Sequence, residues 1–129
     1  MIKTGILNPA LLSLLARIRH TNLLVIADRG FPFWPQIETV DISLVDGIPS
    51  VLQVFQAVTA SCQIGHVWMA EEFQSNNTAE VRQRLEQAAA GIAFTYEPHI
   101  EFKKRVPGAI GLIRSGDTIQ YANMILESA

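Results

Sequence analysis

Residues 22–28 read NLLVIAD, five apolar positions in a row closed by a carboxylate. A run this short, without alternation and bounded by turn residues, marks a strand covered on both faces. Such strands belong to parallel sheets sandwiched between helices. The flanking segments supply those helices. LNPALLSLLARIRH predicts a helix with Asn8 as N-cap and Pro9 at its first position. Leu11, Leu12, Leu14, Leu15 and Ile18 fall at helical spacing, and Arg17 and Arg19 suit the C-terminal end of the dipole. RGFPFWPQ, with one glycine and two prolines, is a loop.

The same alternation continues. Val40 to Val45 reads as a strand and DGIP as a turn. From Ser50, read as the N-cap, Val51, Val54, Phe55 and Val58 line one side of a helix. GHVWMAEEF reads as a second central strand ending at Glu71 and Glu72. NNTAEVRQRLEQAAAG is an amphipathic helix capped by Thr78 and stopped at Gly91. IAFTYEP is a third strand, and HIEFKKRV a short helix entered after Pro98. GAIGLIRSG and YANMILES are the last two strands, close enough to form a hairpin. The expectation is an α/β fold: a single domain over residues 1–129, with a mainly parallel central sheet flanked by helices.

Composition narrows the function. Apolar residues make up 49% and charged residues 17%, so the chain folds and hides part of its surface, which hints at an oligomer. A net charge of −2 without a basic stripe argues against nucleic acid or an anionic membrane as partner. No apolar stretch reaches spanning length, and MIKTGILNP lacks the apolar core of a signal peptide, so a cytoplasmic location is expected. The lone Cys62, weighed as a nucleophile or a small core filler, reads as the filler. His20, His66 and His99 stand far apart, with no CxxC or HExxH, so no metal site is expected.

Ligands of open α/β sheets bind outside the carboxyl ends of the strands. Asp28, Glu71 and Glu72 lie at such ends. His20 lies at the opposite end of the strand that delivers Asp28, so the two do not easily meet within one subunit. If both serve one site, a neighbouring subunit supplies one of them. His20 is either a general acid–base group or a C-cap donor after Arg19. Asp28 either holds a polar ligand or caps the Gly30 turn. His99 and Lys103 stack on one helical face, as sugar or phosphate ligands or as a solvated helix start. Adjacent Glu71 and Glu72, in a strand, face opposite ways. Tyr121 and Asn123, read as a strand, share a face that offers a phenol and an amide. Phe31, Phe33 and Trp34 suit core or subunit packing better than a substrate lid. His66 reads as a satisfied structural histidine, and RSGD at 114–117 makes a poor phosphate cradle.

Taken together, TGILNPALLSLLARIRH, HTNLLVIADRGFP, DGIPSVLQV, MAEE, HIEFKK, IRSGD and YANMIL resemble the RbsD/FucU family, almost end to end. The pyranase branch of that family typically reads GHTD, DAGLP, HEQFK, IRTGE and YANIIL. The resemblance implies a cofactor-free sugar pyranase or mutarotase, which opens a cyclic monosaccharide such as D-ribose or L-fucose and lets it reclose. It implies that His20 is the catalytic histidine, with Asp28 orienting the sugar or the imidazole. It implies substrate-binding positions at Asp28, His99, Lys103, Tyr121, Ala122 and Asn123. It also implies a homo-oligomeric ring, commonly a decamer, with each site between subunits.

There are departures. Arg19 and Asn22 replace a glycine and an aspartate around the histidine, and Arg29, Phe31 and FWP enlarge the loop after Asp28. The segment His99–Lys103 looks like the ribose branch, since the fucose branch usually carries an arginine and a tyrosine there. The alternative reading is a non-catalytic monosaccharide-binding accessory protein of a transport system, because a guanidinium beside His20 opposes a second positive charge.

Overall fold

The computed structural model describes residues 1–129. Helix α1 (Pro9–Ala16) leads to strand β1 (Leu23–Ala27), followed by β2 (Glu38–Asp41), α2 (Val51–Ser61), β3 (Ile64–Ala70), α3 (Glu71–Asn76) and α4 (Ala79–Ala88). Strand β4 (Ala93–Glu97), helix α5 (His99–Arg105), β5 (Ala109–Arg114) and β6 (Met124–Ser128) complete the chain. The six strands form one sheet in the order β2-β5-β1-β6-β3-β4. Neighbours run parallel, except that β6 is antiparallel to both β1 and β3.

The opening run explains the layering. Leu24 and Ile26 point into the larger core, with Leu14, Val54, Phe55, Val58, Met69 and Leu126. Val25 and Ala27 point the other way, into a smaller core with Phe31, Phe102, Leu112 and Ile125. Successive strand residues face opposite sides, so an unbroken apolar strand must be covered twice. Helices α1, α2 and α4 cover one face; α5 and the loop after β1 cover the other. Gly111 lets α1 close on the sheet, since a Cβ there would sit 2.6 Å from Leu14 Cδ1. The three expected caps are in place: Asn8 accepts from the Leu11 N–H, Ser50 from Gln53 in a reciprocal capping box, and Thr78 from Val81.

Three local expectations are corrected. The last two strands form no hairpin, because β1 lies between β5 and β6. The link at 115–123 is instead pinned across the end of β1: Ser115 N and Oγ donate to the Ala27 carbonyl, and Arg29 N donates to Asp117 O. Strand β3 ends at Ala70, where its pairing with β4 ends, and Glu71 and Glu72 open α3. Acidic side chains favour a helix N-terminus, so the pair that reads as strand ends starts a helix. Strand β2 stops at Asp41, whose carboxylate turns back to the Ser43 N–H at 2.9 Å, an Asx turn that breaks the ladder.

Candidate functional site

Strand β1 delivers Asp28 at its carboxyl end, and the backbone there is held from three sides. The Asp28 N–H donates to Asn123 Oδ1 at 2.7 Å, and Asn123 Nδ2 donates to Asp28 Oδ2 at 3.1 Å. Gly30 N–H donates to Asp28 Oδ1 at 2.9 Å. Arg114 at the end of β5 gives its guanidinium to the carbonyls of Asp28, Arg29 and Pro32, at 3.1 to 3.4 Å. Asp28 therefore caps the Gly30 turn, the structural role weighed for it, and its carboxylate is held in a fixed position at the strand end. Asn123 is 3% exposed, so its amide is committed to this network.

An open cavity of about 290 Å³ lies over this network, lined by Asp28, Gly30, Phe31, His99, Gln120, Tyr121 and Asn123. Phe31 is a core residue that also forms a wall of the cavity, while Phe33 stands exposed beyond it. His99 opens α5. Its ring stacks on Phe102 at 5.9 Å and meets the edge of Tyr121 at 5.1 Å. Burial, reinforced by the nearby Lys103 ammonium, pulls the His99 pKa below 6.5, while Glu72 and Asp28 pull the other way. Lys103 sits half-buried one helical turn beyond His99. Tyr121 is not in a strand. It occupies a turn with φ +57, and β6 begins only at Met124. Tyr121 and Asn123 still line the same cavity, through a left-handed backbone and not through strand alternation. Ala122, between them, is buried and lines a second cavity.

That second cavity, about 120 Å³, is enclosed mostly by apolar side chains such as Leu52, Met69, Phe73 and Leu85. Its polar members are already used. The Asp117 carboxylate accepts from Val51 N and Ile119 N, and Arg84 pairs with Glu80. Uncommitted polar chemistry converges on the first cavity.

His20 lies elsewhere. It precedes β1 in an exposed turn, separated from Asp28 by a five-residue strand, about 16 Å of extended chain. The helix-cap role weighed for it is taken by arginines: Arg17 Nε donates to Ser13 O, and Arg19 Nη1 to the carbonyls of Ala16 and Ile18. Thr21 next to it adopts φ +66, unusual for a β-branched residue, and its N–H is tied to Ser128 O at 2.9 Å. His66 bonds Thr95 Oγ1 at 2.8 Å, as a structural histidine should.

Sequence reasoning overlooked two supports of the cavity. Arg114 holds the loop after β1, and α3 braces the opposite wall. From α3, Glu72 accepts the His99 N–H, and Asn77 Nδ2, at the helix end, donates to Gln120 O at 2.8 Å. The acidic pair at 71–72 was visible as a candidate, but its use follows from helix geometry.

The sequence matches the RbsD / FucU transport protein family over residues 1–129. It is 39% identical over 128 residues to the D-ribose pyranase of Bacillus cereus strain G9842, across 99% of this chain and 97% of that protein. The structure of Bacillus subtilis RbsD complexed with D-ribose matches with a TM-score of 0.92 at 33% identity, covering 100% of this chain and 98% of that one. The fucose mutarotase of Streptococcus pneumoniae in complex with L-fucose matches with a TM-score of 0.80 at 19% identity, over 95% and 92% of the two chains, a likeness of fold. No helix is long and apolar enough to cross a membrane. With a match from the first residue to the last and a relative 39% identical across nearly the whole chain, the chain belongs to the RbsD/FucU family.

Proposed function

We propose that this protein is a monosaccharide pyranase or mutarotase, with D-ribose as the first sugar to test, acting in the cytoplasm. The observation that carries the reading is the division of polar groups between two ends of one strand. The cavity holds a fixed carboxylate, an imidazole, a phenol and an amide, which suits an uncharged ring bearing many hydroxyls. His20, exposed at the far end of β1, is free to enter the cavity of another copy. The resemblance to a D-ribose pyranase and to a ribose-bound RbsD supports the sugar.

In this reading the site is completed by His20 of the partner subunit. One surface meeting a different surface is a heterologous contact, which closes into a ring when the rotation allows. The exposed apolar residues Leu7, Phe33, Leu44, Val45, Ile48 and Ile100 offer the material for such contacts. A decamer is the ring size we propose. The chemistry is a proton relay. The anomeric hydroxyl loses a proton, the bond from the anomeric carbon to the ring oxygen breaks, and that oxygen gains a proton, leaving the open aldehyde. Reclosure through either face, or through another hydroxyl, gives a new anomer or ring size. The histidine moves the proton. Asp28, oriented by Asn123, holds the sugar or the imidazole, and His99, Lys103 and Tyr121, with the backbone at Ala122, fix hydroxyls.

Saturation-transfer NMR on D-ribose tests this. The protein should accelerate exchange between cyclic forms, and His20→Ala should lose about 10²–10⁴-fold of that acceleration while still binding sugar. Undiminished exchange in His20→Ala removes the histidine from the mechanism. The accessory-protein reading rested on Arg19 and Asn22 beside His20. The Arg19 guanidinium bonds the Ala16 and Ile18 carbonyls and keeps its charge, so ribose binding without faster exchange would favour that reading.

A further inference from the structure

We propose that Glu72 is a positioning residue for the sugar site, anchoring the first residue of α5 so that the His99 imidazole stays against the cavity. The inference rests on the sugar-site reading above. Both Glu72 oxygens accept the His99 N–H, at 3.0 and 3.1 Å. Helix α5 has no cap of its own, because Pro98 occupies the N-cap and offers no side-chain acceptor. A carboxylate from another helix supplies what the local sequence lacks. The arm carrying it is fixed in turn: Phe73, the next residue, is buried, and Asn77 ties the end of α3 to Phe73 O and Gln120 O.

His99 needs such an anchor. Its Nδ1 is buried without a hydrogen-bond partner, so no bond at that nitrogen fixes the ring. The imidazole is placed by packing against Phe31, Phe102 and Tyr121, and by its own backbone. Glu72 holds that backbone. It also faces His99 electrostatically. The charged and titratable groups around the ring are Lys103 on α5, Glu72 on α3, Asp28 after β1 and Tyr121 before β6. Burial and Lys103 favour the neutral ring, with one donor and one acceptor for hydroxyls, while Glu72 and Asp28 oppose them. Glu72 therefore contributes an acceptor and a charge, and the two are separable by substitution.

The test compares Glu72→Ala and Glu72→Gln in the full-length protein. Ribose exchange is measured against sugar concentration by saturation-transfer NMR. The His99 titration is followed by proton–carbon NMR, its signal assigned by its loss in His99→Asn. Glu72→Ala should raise KM by roughly three- to tenfold, the scale of one lost hydrogen bond, and leave kcat unchanged because the proton moves on His20. Glu72→Gln keeps an acceptor, so KM at neutral pH returns to the wild-type value, while the His99 midpoint and the acid limb of the KM profile move to lower pH. A folded Glu72→Ala protein with wild-type KM, or an unmoved His99 midpoint in Glu72→Gln, overturns the proposal. If Glu72→Ala fails to fold, the Glu72→Gln titration decides. Wild-type protein that does not accelerate exchange would sink the sugar-isomerase reading, and the titration would still judge Glu72.

Discussion

The two ends of β1 are built in opposite ways. At the carboxyl end the frame around the cavity is tied: Asp28 to Gly30 and Asn123, the following loop to Arg114, and the Gln120 backbone to Asn77. At the amino end, Thr21 turns through an unusual backbone angle and His20 projects into solvent. A preorganised pocket reduces the ordering cost of holding a small polar ligand. An exposed histidine on a stiff turn suits insertion into another molecule. On the function proposed above, the contrast is that of a site made in two halves, one complete within the chain and one offered outward.

The largest expected effect comes from untying the ordered end. Asn123→Ala removes the acceptor of the Asp28 N–H and the donor to its carboxylate in a buried setting. It should cost about 1–3 kcal/mol in chemical denaturation and raise KM for sugar at least as much as any wall substitution. Wild-type stability in that variant would mean the Asp28 network does not hold the loop.

A middle-sized effect is the pH dependence of stability. His99 has its folded pKa lowered from 6.5 by burial and by Lys103. Below 6.5 the unfolded chain takes up a proton more readily than the folded one, so stability from this group falls as pH drops and levels off below the folded value. Melting curves from pH 8 to 5 should show that fall, and His99→Gln should flatten it. An equal slope in both proteins would assign the effect elsewhere.

At the outward-facing end the expected effect is smallest. Thr21→Gly relieves a positive φ while adding unfolded-state entropy, so stability should change by less than about 1 kcal/mol. If His20 is the proposed proton carrier, the turn aims it, and kcat should fall while sugar affinity holds. A drop in affinity with kcat intact would contradict the division between the two ends.

How much of this was legible in the sequence follows the same physics. The caps at Asn8, Ser50 and Thr78, and the doubly covered strand at 23–27, depend on local chemistry and were readable. The misplaced hairpin shows the limit. Short apolar runs at 109–114 and 124–128 look alike whichever strand lies beside them, and pairing was decided by where Ser115 and Asp117 are anchored. The separation of His20 from Asp28 was readable, because strand direction alone implies it. The role of Glu72 was not, because it depends on a strand ending at Ala70 and on a contact 27 residues away. Tyr121 and Asn123 were paired correctly for the wrong local reason, a left-handed turn standing where strand alternation was read.

Mixing two inactive variants tests the split site most directly. His20→Ala keeps an intact cavity, and Asp28→Asn keeps an intact histidine. Co-refolded or co-expressed in equal amounts, random rings should regain about a quarter of wild-type sites, each built from the histidine of one variant and the cavity of the other. Ribose exchange recovering toward that level confirms that the two ends of β1 work in different copies. Mixed rings, verified by mass spectrometry, that stay as inactive as the parents would contradict it.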